Sequence, residues 1–173
     1  MIHNIAIQPA RPSDLREINA IFNHYVEHST CVWTTTPCSE VERRVWYEEH
    51  VEAMPILVAE CGGRIVDWGA LSTFRTAYTL AGTLKDFIYV HHDFHRQGMG
   101  SRLLTALIDA ARRKGLRSIL ANISADQTPS IRLHEKFGFQ KVAHLRQVGQ
   151  KFNQWFDAVY LQLVLAANTA PDR

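Results

Sequence analysis

The run from Lys85 to Lys114 does most to decide what this chain of 173 residues can fold into. Lys85-Asp86-Phe87-Ile88-Tyr89-Val90 reads as a buried strand, and His91 to Gly100 as a polar loop with closely spaced glycines, Gly98 and Gly100. From Ser101 to Lys114 the apolar residues Leu103, Leu104, Leu107, Ile108 and Ala111 recur at helical spacing. The first turn of such a helix carries unpartnered N–H groups and the positive end of the helix dipole, which suits a phosphate. Glycines at 98 and 100 remove the side chains that would hold a pyrophosphate off. Two familiar phosphate cradles are excluded. A dinucleotide fingerprint needs glycine where Leu103 stands, and a P-loop needs Gly-Lys followed by Ser or Thr. By themselves the glycines serve equally as a tight strand-to-helix turn.

The rest of the chain follows the same logic. Ile2 to Gln8 alternates as a first strand. Arg11-Pro12-Ser13-Asp14 starts a helix whose apolar face is Leu15, Ile18, Ile21, Phe22, Tyr25 and Val26. His28 to Cys38 has no period and reads as a loop, in which Trp33 is either core or the wall of a pocket. Ser39-Glu40-Val41-Glu42 is a capping box, so a second helix begins there and ends before Pro55. Pro55–Glu60 and Ile65–Phe74 form a hairpin around Gly62-Gly63, with the Lys85–Val90 strand as a third antiparallel neighbour. Gly115 stops the long helix, and Ser118–Ile123 is the next strand. Pro129 and Gly138 bracket a short helix. Gln140–Val148 and Trp155–Val164 close the sheet, joined by a loop over 149–154. A frayed tail is expected over 166–173. No repeat or linker interrupts this order, so one domain over 1–173 is expected: a mixed α/β sheet of about seven mostly antiparallel strands flanked by about four helices.

Composition excludes several function classes. There are 19 basic and 17 acidic residues, a formal charge of +2. The only basic block, Arg112-Arg113-Lys114 with Arg117, sits where cations complement a helix C-terminus, so no nucleic-acid partner is expected. Cys31, Cys38 and Cys61 show no metal or redox spacing. His91, His92 and His95 lack supporting carboxylate or cysteine ligands at metal-site spacing, so no metal is expected. There is no secretory-signal pattern, and no apolar run nears the ~20 residues that span a bilayer. A cytoplasmic protein without a membrane partner is the expectation.

Tyr89-Val90-His91 and the Gly98-x-Gly100 loop before an amphipathic helix resemble the acetyl-CoA-binding segment of the GNAT acetyltransferase superfamily. His95 stands where that pattern usually has Arg or Gln. Ser130-Ile131-Arg132-Leu133-His134-Glu135-Lys136-Phe137-Gly138-Phe139 and Gly149-Gln150-Lys151-Phe152, followed by Trp155-Phe156-Asp157, narrow the resemblance to the phosphinothricin N-acetyltransferase family, over nearly the whole chain. The resemblance implies a GNAT fold and acetyl transfer from acetyl-CoA to the amino group of a small glutamate-like amino acid, such as phosphinothricin or methionine sulfoximine. It places acetyl-CoA against Ile88, Tyr89 and Val90, the cradle Arg96, Gln97, Gly98, Met99, Gly100 and Ser101, and Gln127. It places the acceptor against Arg75, Thr76 and Ala77, and against Lys85, Asp86 and Phe87. Arg75 is then the natural partner of a carboxylate. By analogy with relatives, a homodimer is expected.

The chain departs from the family pattern most at Lys85, where relatives carry a glutamate taken as general base. Lys85 has three readings: a base with a depressed pKa, a binder of a substrate anion, or the mark of a lost activity. Asp86 does not replace the glutamate, because neighbouring strand residues face opposite sides. The acid often found before the loop proline is Thr35 here, and an arginine of some relatives is Ala81. His134 stands where many GNAT enzymes have the tyrosine that protonates the leaving thiolate. It is either that acid or a packing residue. Rival readings are acetylation of another amine or of a protein N-terminus, and a CoA-binding protein with little turnover.

Overall fold

A computed structural model describes residues 5–51, 54–74 and 82–165. Strands β1 (Ile5–Pro9), β2 (Ile56–Cys61), β3 (Arg64–Thr73), β4 (Thr83–Val90), β5 (Ser118–Ser124), β6 (Gln140–Lys151) and β7 (Gln154–Val164) form one sheet in the order β1-β2-β3-β4-β5-β7-β6. Helices α1 (Leu15–His28), α2 (Glu40–Val51), α3 (Met99–Arg113) and α4 (Thr128–Lys136) flank it. The expected antiparallel run is present, since β2, β3 and β4 pair in register from Ile56↔Ala70 and from Asp67↔Val90. No helix among the described residues is long and apolar enough to cross a membrane.

Side-chain alternation assigns the helices to the two faces. Trp68 and Ala70 join Ile18, Ile21 and Tyr47 of α1 and α2, whereas Leu71 and Leu84 join Leu103, Leu104 and Leu107 of α3. Gly69 lets α3 come close: a Cβ there would lie 2.6 Å from Phe87 O and 2.9 Å from Leu103 Cδ2. The capping box is formed as expected. Ser39 N donates to Glu42 Oε2 (2.8 Å) and Glu42 N to Ser39 Oγ (3.2 Å).

Only β4 and β5 pair in parallel, and only at Thr83↔Ser118, Leu84↔Ile119 and Lys85↔Leu120. Beyond Lys85 the strands part, and β4 is left with one edge unpaired in the middle of the sheet.

One connection differs from the expected loop over 149–154. β6 continues to Lys151 and the chain turns only at Phe152 and Asn153, with φ of 53° and 58°. The extension holds because Gly149 lies under the Phe156 ring, where a Cβ would fall 2.2 Å from Phe156 Cζ. Lys151 is buried and reaches across to the loop after α1, donating to Ser29 O (2.7 Å), Val32 O (2.8 Å) and Tyr25 O (3.5 Å).

Candidate active site

The parting of β4 and β5 leaves a small cavity of about 60 Å³ between Phe87, Ile88 and Tyr89 on one side and Ala121, Asn122 and Ile123 on the other. It shares lining residues with two larger ones, Ile88, Tyr89 and Gln127 with one and Phe87 and Tyr89 with the other. On the α3 and α4 side a cavity of about 420 Å³ is bordered by Val90, Arg96, Gly98, Gly100, Ser101 and Gln127. On the α1 and α2 side a cavity of about 440 Å³ is bordered by Phe22, Arg43, Trp46, Trp68, Phe87 and the loop residues Thr34, Thr36 and Pro37. Tyr89 borders all three.

The first large cavity has the chemistry of an anion cradle. Arg96 and Gly98 take positive φ, 59° and 81°, which curls the backbone before α3. α3 begins at Met99, so Gly100 lies inside its first turn rather than in the loop, and a Cβ there would press on Leu133 Cδ2 at 3.1 Å. The first N–H given to a backbone partner in this helix is that of Arg102, to Gly98 O. The earlier N–H groups face the cavity mouth with the helix dipole behind them. Of the sequence-predicted contacts, Ile88, Tyr89, Val90, Arg96, Gly98, Met99, Gly100, Ser101 and Gln127 border this cavity, and Gln97 does not. Gln127 is held by Thr30 Oγ1 (3.0 Å). The Tyr25 hydroxyl donates to Val90 O and meets His95 Nε2 at 2.7 Å, fixing the end of β4 to α1.

His91 N–H donates to Val66 O (2.8 Å), across to β3. Strand alternation therefore turns the N–H groups of Ile88 and Val90 the other way, toward the gap left by β5. These are donors for an extended ligand laid along β4, and for a carbonyl oxygen that gains charge.

Asp86 and His134 sit beside the gap, both bordering it. Their side chains are 2% and 5% exposed, with Oδ2 of Asp86 2.8 Å from Nε2 of His134. Nδ1 of His134 lies 2.7 Å from Ser130 O, which can only accept, so this nitrogen carries a proton. Burial opposes the imidazolium, yet the adjoining carboxylate and the Ser130 carbonyl outweigh it and raise the His134 pKa above its ordinary value. The second oxygen, Asp86 Oδ1, has no hydrogen-bond partner among the described residues. As alternation required, Asp86 faces away from Lys85. Lys85 and Phe87 lie on the opposite face, with the ammonium 5.3 Å from the Phe87 ring. Phe87 borders the acceptor-side cavity, whereas Lys85 is half-buried beside it and does not line it. Arg75, Thr76, Ala77 and Ala81 lie outside the described residues.

Ligand atoms of His91, His92 and Asp93 lie within 4.8 Å of one another, a grouping that their sequence order alone did not suggest. His91 Nδ1 accepts from Asp93 N (3.2 Å), and the His92 ring stacks on His24 at 4.0 Å.

The acetyltransferase (GNAT) domain pattern matches residues 7–160. The chain belongs to the GNAT acetyltransferases. An L-methionine sulfoximine/L-methionine sulfone acetyltransferase of Salmonella typhimurium is 34% identical over 169 residues, 97% of this chain and 99% of its own. A phosphinothricin N-acetyltransferase of Streptomyces viridochromogenes is 32% identical over 158 residues, 91% of this chain and 86% of its own. Among solved structures, an acetyltransferase from Salmonella typhimurium with acetyl-CoA superposes with TM-score 0.92 at 34% identity, covering 97% of this chain and 98% of that one. A phosphinothricin acetyltransferase from Sinorhizobium meliloti, also with acetyl-CoA, reaches 0.92 at 26% identity over 97% and 92% of the two chains.

In this acetyltransferase the cradle residues fit acetyl-CoA: curled backbone, unspent N–H groups and an open strand edge in continuity. Sequence reasoning missed the acceptor-side wall. Phe22, Arg43, Trp46 and Trp68 come from α1, α2 and β3, and only the Arg43–Trp46 spacing, one helical turn, hinted that two of them share a face.

Proposed function

We propose that this enzyme transfers the acetyl group of acetyl-CoA to the α-amino group of a small glutamate-like amino acid, of the phosphinothricin and methionine sulfoximine kind. The observation that carries this reading is the pair of cavities on opposite faces of β4, both bordered by Tyr89 at the gap beside β5. A donor on the α3 side and an acceptor on the α1 side would meet there. The names of the relatives support the acceptor class.

The donor would be held by the N–H groups before Arg102, by Gln127 and by the open edge of β4, and would supply the thioester. Ile88 and Val90 N–H groups orient its carbonyl and favour the charge that grows on the oxygen. Asp86 and His134 keep a proton in the gap, on the face from which the thiol departs, and return it to the sulfur. Lys85 lies on the same face of β4 as Phe87, at the position where the family pattern carries a glutamate taken as base. The ammonium proton of the acceptor leaves through the open acceptor cavity to water. No bound metal enters this scheme.

The reading extends to a cytoplasmic homodimer. The outer strand β6 and its turn carry Val142, Leu145, Val148, Phe152 and Trp155, all exposed, and a second copy is the partner that suits an apolar sheet edge. Light scattering on the purified chain gives the mass that decides it.

The reaction is tested by CoA thiol release against phosphinothricin, methionine sulfoximine, polyamines and short peptides. Turnover confined to the amino acids is expected. Turnover on peptides or polyamines alone would replace the acceptor, and binding of acetyl-CoA without turnover would replace the activity.

A further inference from the structure

Arg43 is a buried cation without an anion. Its residue is 4% exposed. The rings of Phe22, Trp46 and Trp68 lie 4.5, 4.8 and 5.4 Å from its guanidinium carbon. Its Nε donates to Asn19 Oδ1 (3.1 Å), a neutral acceptor. No carboxylate among the described residues lies within ion-pair distance of it. The adjacent acid, Glu42, is committed to the helix cap through Ser39 N (2.8 Å) and Ser39 Oγ (2.7 Å). Thr35, where the family pattern suggests an acid, supplies none.

A guanidinium taken out of water is costly unless an anion compensates it. Here the rings cover its faces, and of the five N–H donors of a guanidinium Asn19 and the Cys38 side chain take two, which leaves donors to spare. Arg43 and Cys38 both border the acceptor cavity. Trp68, 2% exposed, lends this wall its ring, and the guanidinium is the donor that an acceptor group in the cavity would meet. The Trp68 ring lies 4.9 Å from that of Tyr89, and the Arg43 charge acts on Tyr89, so an anion on Arg43 would sit on the side of Tyr89 that borders the gap.

The geometry points to Arg43 as the site that binds the α-carboxylate of the acceptor amino acid. This rests on the proposed amino-acid acceptor and assigns its anchor. A carboxylate pairs with a guanidinium edge through two parallel hydrogen bonds, which a primary amide or an unsubstituted carbon cannot reproduce. The aromatic walls take the carbon skeleton, and the amine is left facing Tyr89.

The test compares L-methionine sulfone with its primary amide and with 3-(methylsulfonyl)propylamine, the same molecule without the carboxylate. Turnover is read by thiol release, and binding separately by tryptophan fluorescence, since Trp46 and Trp68 line the cavity. In the wild type, loss of the carboxylate is expected to raise Kd and KM roughly 10- to 100-fold. In Arg43→Gln that preference should vanish while acetyl-CoA still binds. Should Arg43→Gln fail to bind acetyl-CoA, Arg43→Lys replaces it: the charge stays, the fork is lost, and roughly a tenfold loss of acid-over-amide preference is expected. Equal binding of acid and amide by the wild type, or an intact preference in a folded Arg43 variant, overturns the assignment. So does a preference that collapses in Arg75→Gln and survives in Arg43→Gln. Carboxylate-selective binding without turnover on any amino acid would instead leave this anchor standing and overturn the proposed reaction.

Discussion

Replacing Asp67 with asparagine tests whether one buried carboxyl sets the pH dependence of this fold. Asp67 lies in the middle of β3, opposite Ala59 on one side and Val90 on the other, and is fully buried. Neither of its oxygens has a hydrogen-bond partner. Burial raises its pKa well above the ordinary 3.8, and the nearby Trp68 backbone N–H offsets this only in part. The folded state therefore holds a proton that the unfolded chain has already released, from the unfolded pKa up to the raised folded one. Within that window the folded state loses stability as pH rises, by about 1.4 kcal/mol per pH unit, a tenfold change in the folding constant. The amide of asparagine has nearly the same shape and does not titrate. Its unpaired NH₂ adds a constant offset, so the slope is diagnostic. Urea unfolding of both proteins in steps of about one pH unit upward from about pH 5 gives the difference curve, in which groups common to both cancel. The wild type should lose ground to the variant at about 1.4 kcal/mol per unit. A flat difference would mean that Asp67 has the same pKa folded and unfolded, and that its isolation is only apparent.

Four further outcomes are expected. Lys151→Met strands two loop carbonyls, Ser29 O and Val32 O, and should cost about 3 kcal/mol, a fall in Tm of about 6–12 °C by differential scanning calorimetry, with weaker acetyl-CoA binding because Cys31 of that loop borders the cradle. Gly149→Ala drives a Cβ into the Phe156 ring and should cost about 1–3 kcal/mol in urea unfolding. His134→Gln should lower kcat about 10²-fold while the acetyl-CoA Kd, from calorimetry, stays within about twofold. Lys85→Glu should raise kcat/KM on glutamate-like amino acids, measured by thiol release; unchanged or lower activity would detach Lys85 from the base position.

Local rules made much of this structure legible. The Ser39–Glu42 box and the Pro129 and Gly138 bracket mark helix ends through local signals, and those ends fall within a residue or two of where the sequence puts them, whereas α3 starts at Met99, two residues before the expected Ser101. Alternation alone put Lys85 and Asp86 on opposite faces. What alternation could not give was the partner: His134 lies 48 residues away, and only the return of α4 beneath β4 brings it to Asp86. The Phe152-Asn153 turn was hidden because Gly149 gave the stronger turn signal, whereas that glycine serves to seat the Phe156 ring. Arg43 was hidden for the same reason as Asp86. Trp46 is one helical turn away on α2, but Phe22 and Trp68 come from α1 and β3, which have no local relation to Arg43.

The Lys85 substitution acquires its meaning from the two faces of β4. On the even-numbered face Asp86 is tied to His134, and the thiol would leave on that side. On the odd-numbered face Phe87 and Tyr89 border the acceptor cavity with Arg43, and Lys85 lies beside Phe87. Moving an acid by one residue along a strand therefore moves it from the acceptor's side to the donor's. On the proposed reading, a chain with lysine at 85 and aspartate at 86 would lack a carboxylate base beside the incoming amine and would hold the Asp86–His134 pair beside the departing sulfur. Its chemistry then depends on acceptors whose amine is delivered already neutral, and turnover with glutamate-like amino acids should climb with pH until the amine is fully deprotonated, at about pH 9 or above. A rate that levels near neutral pH would require a base on the acceptor face, and Lys85 would be the first group to examine for it.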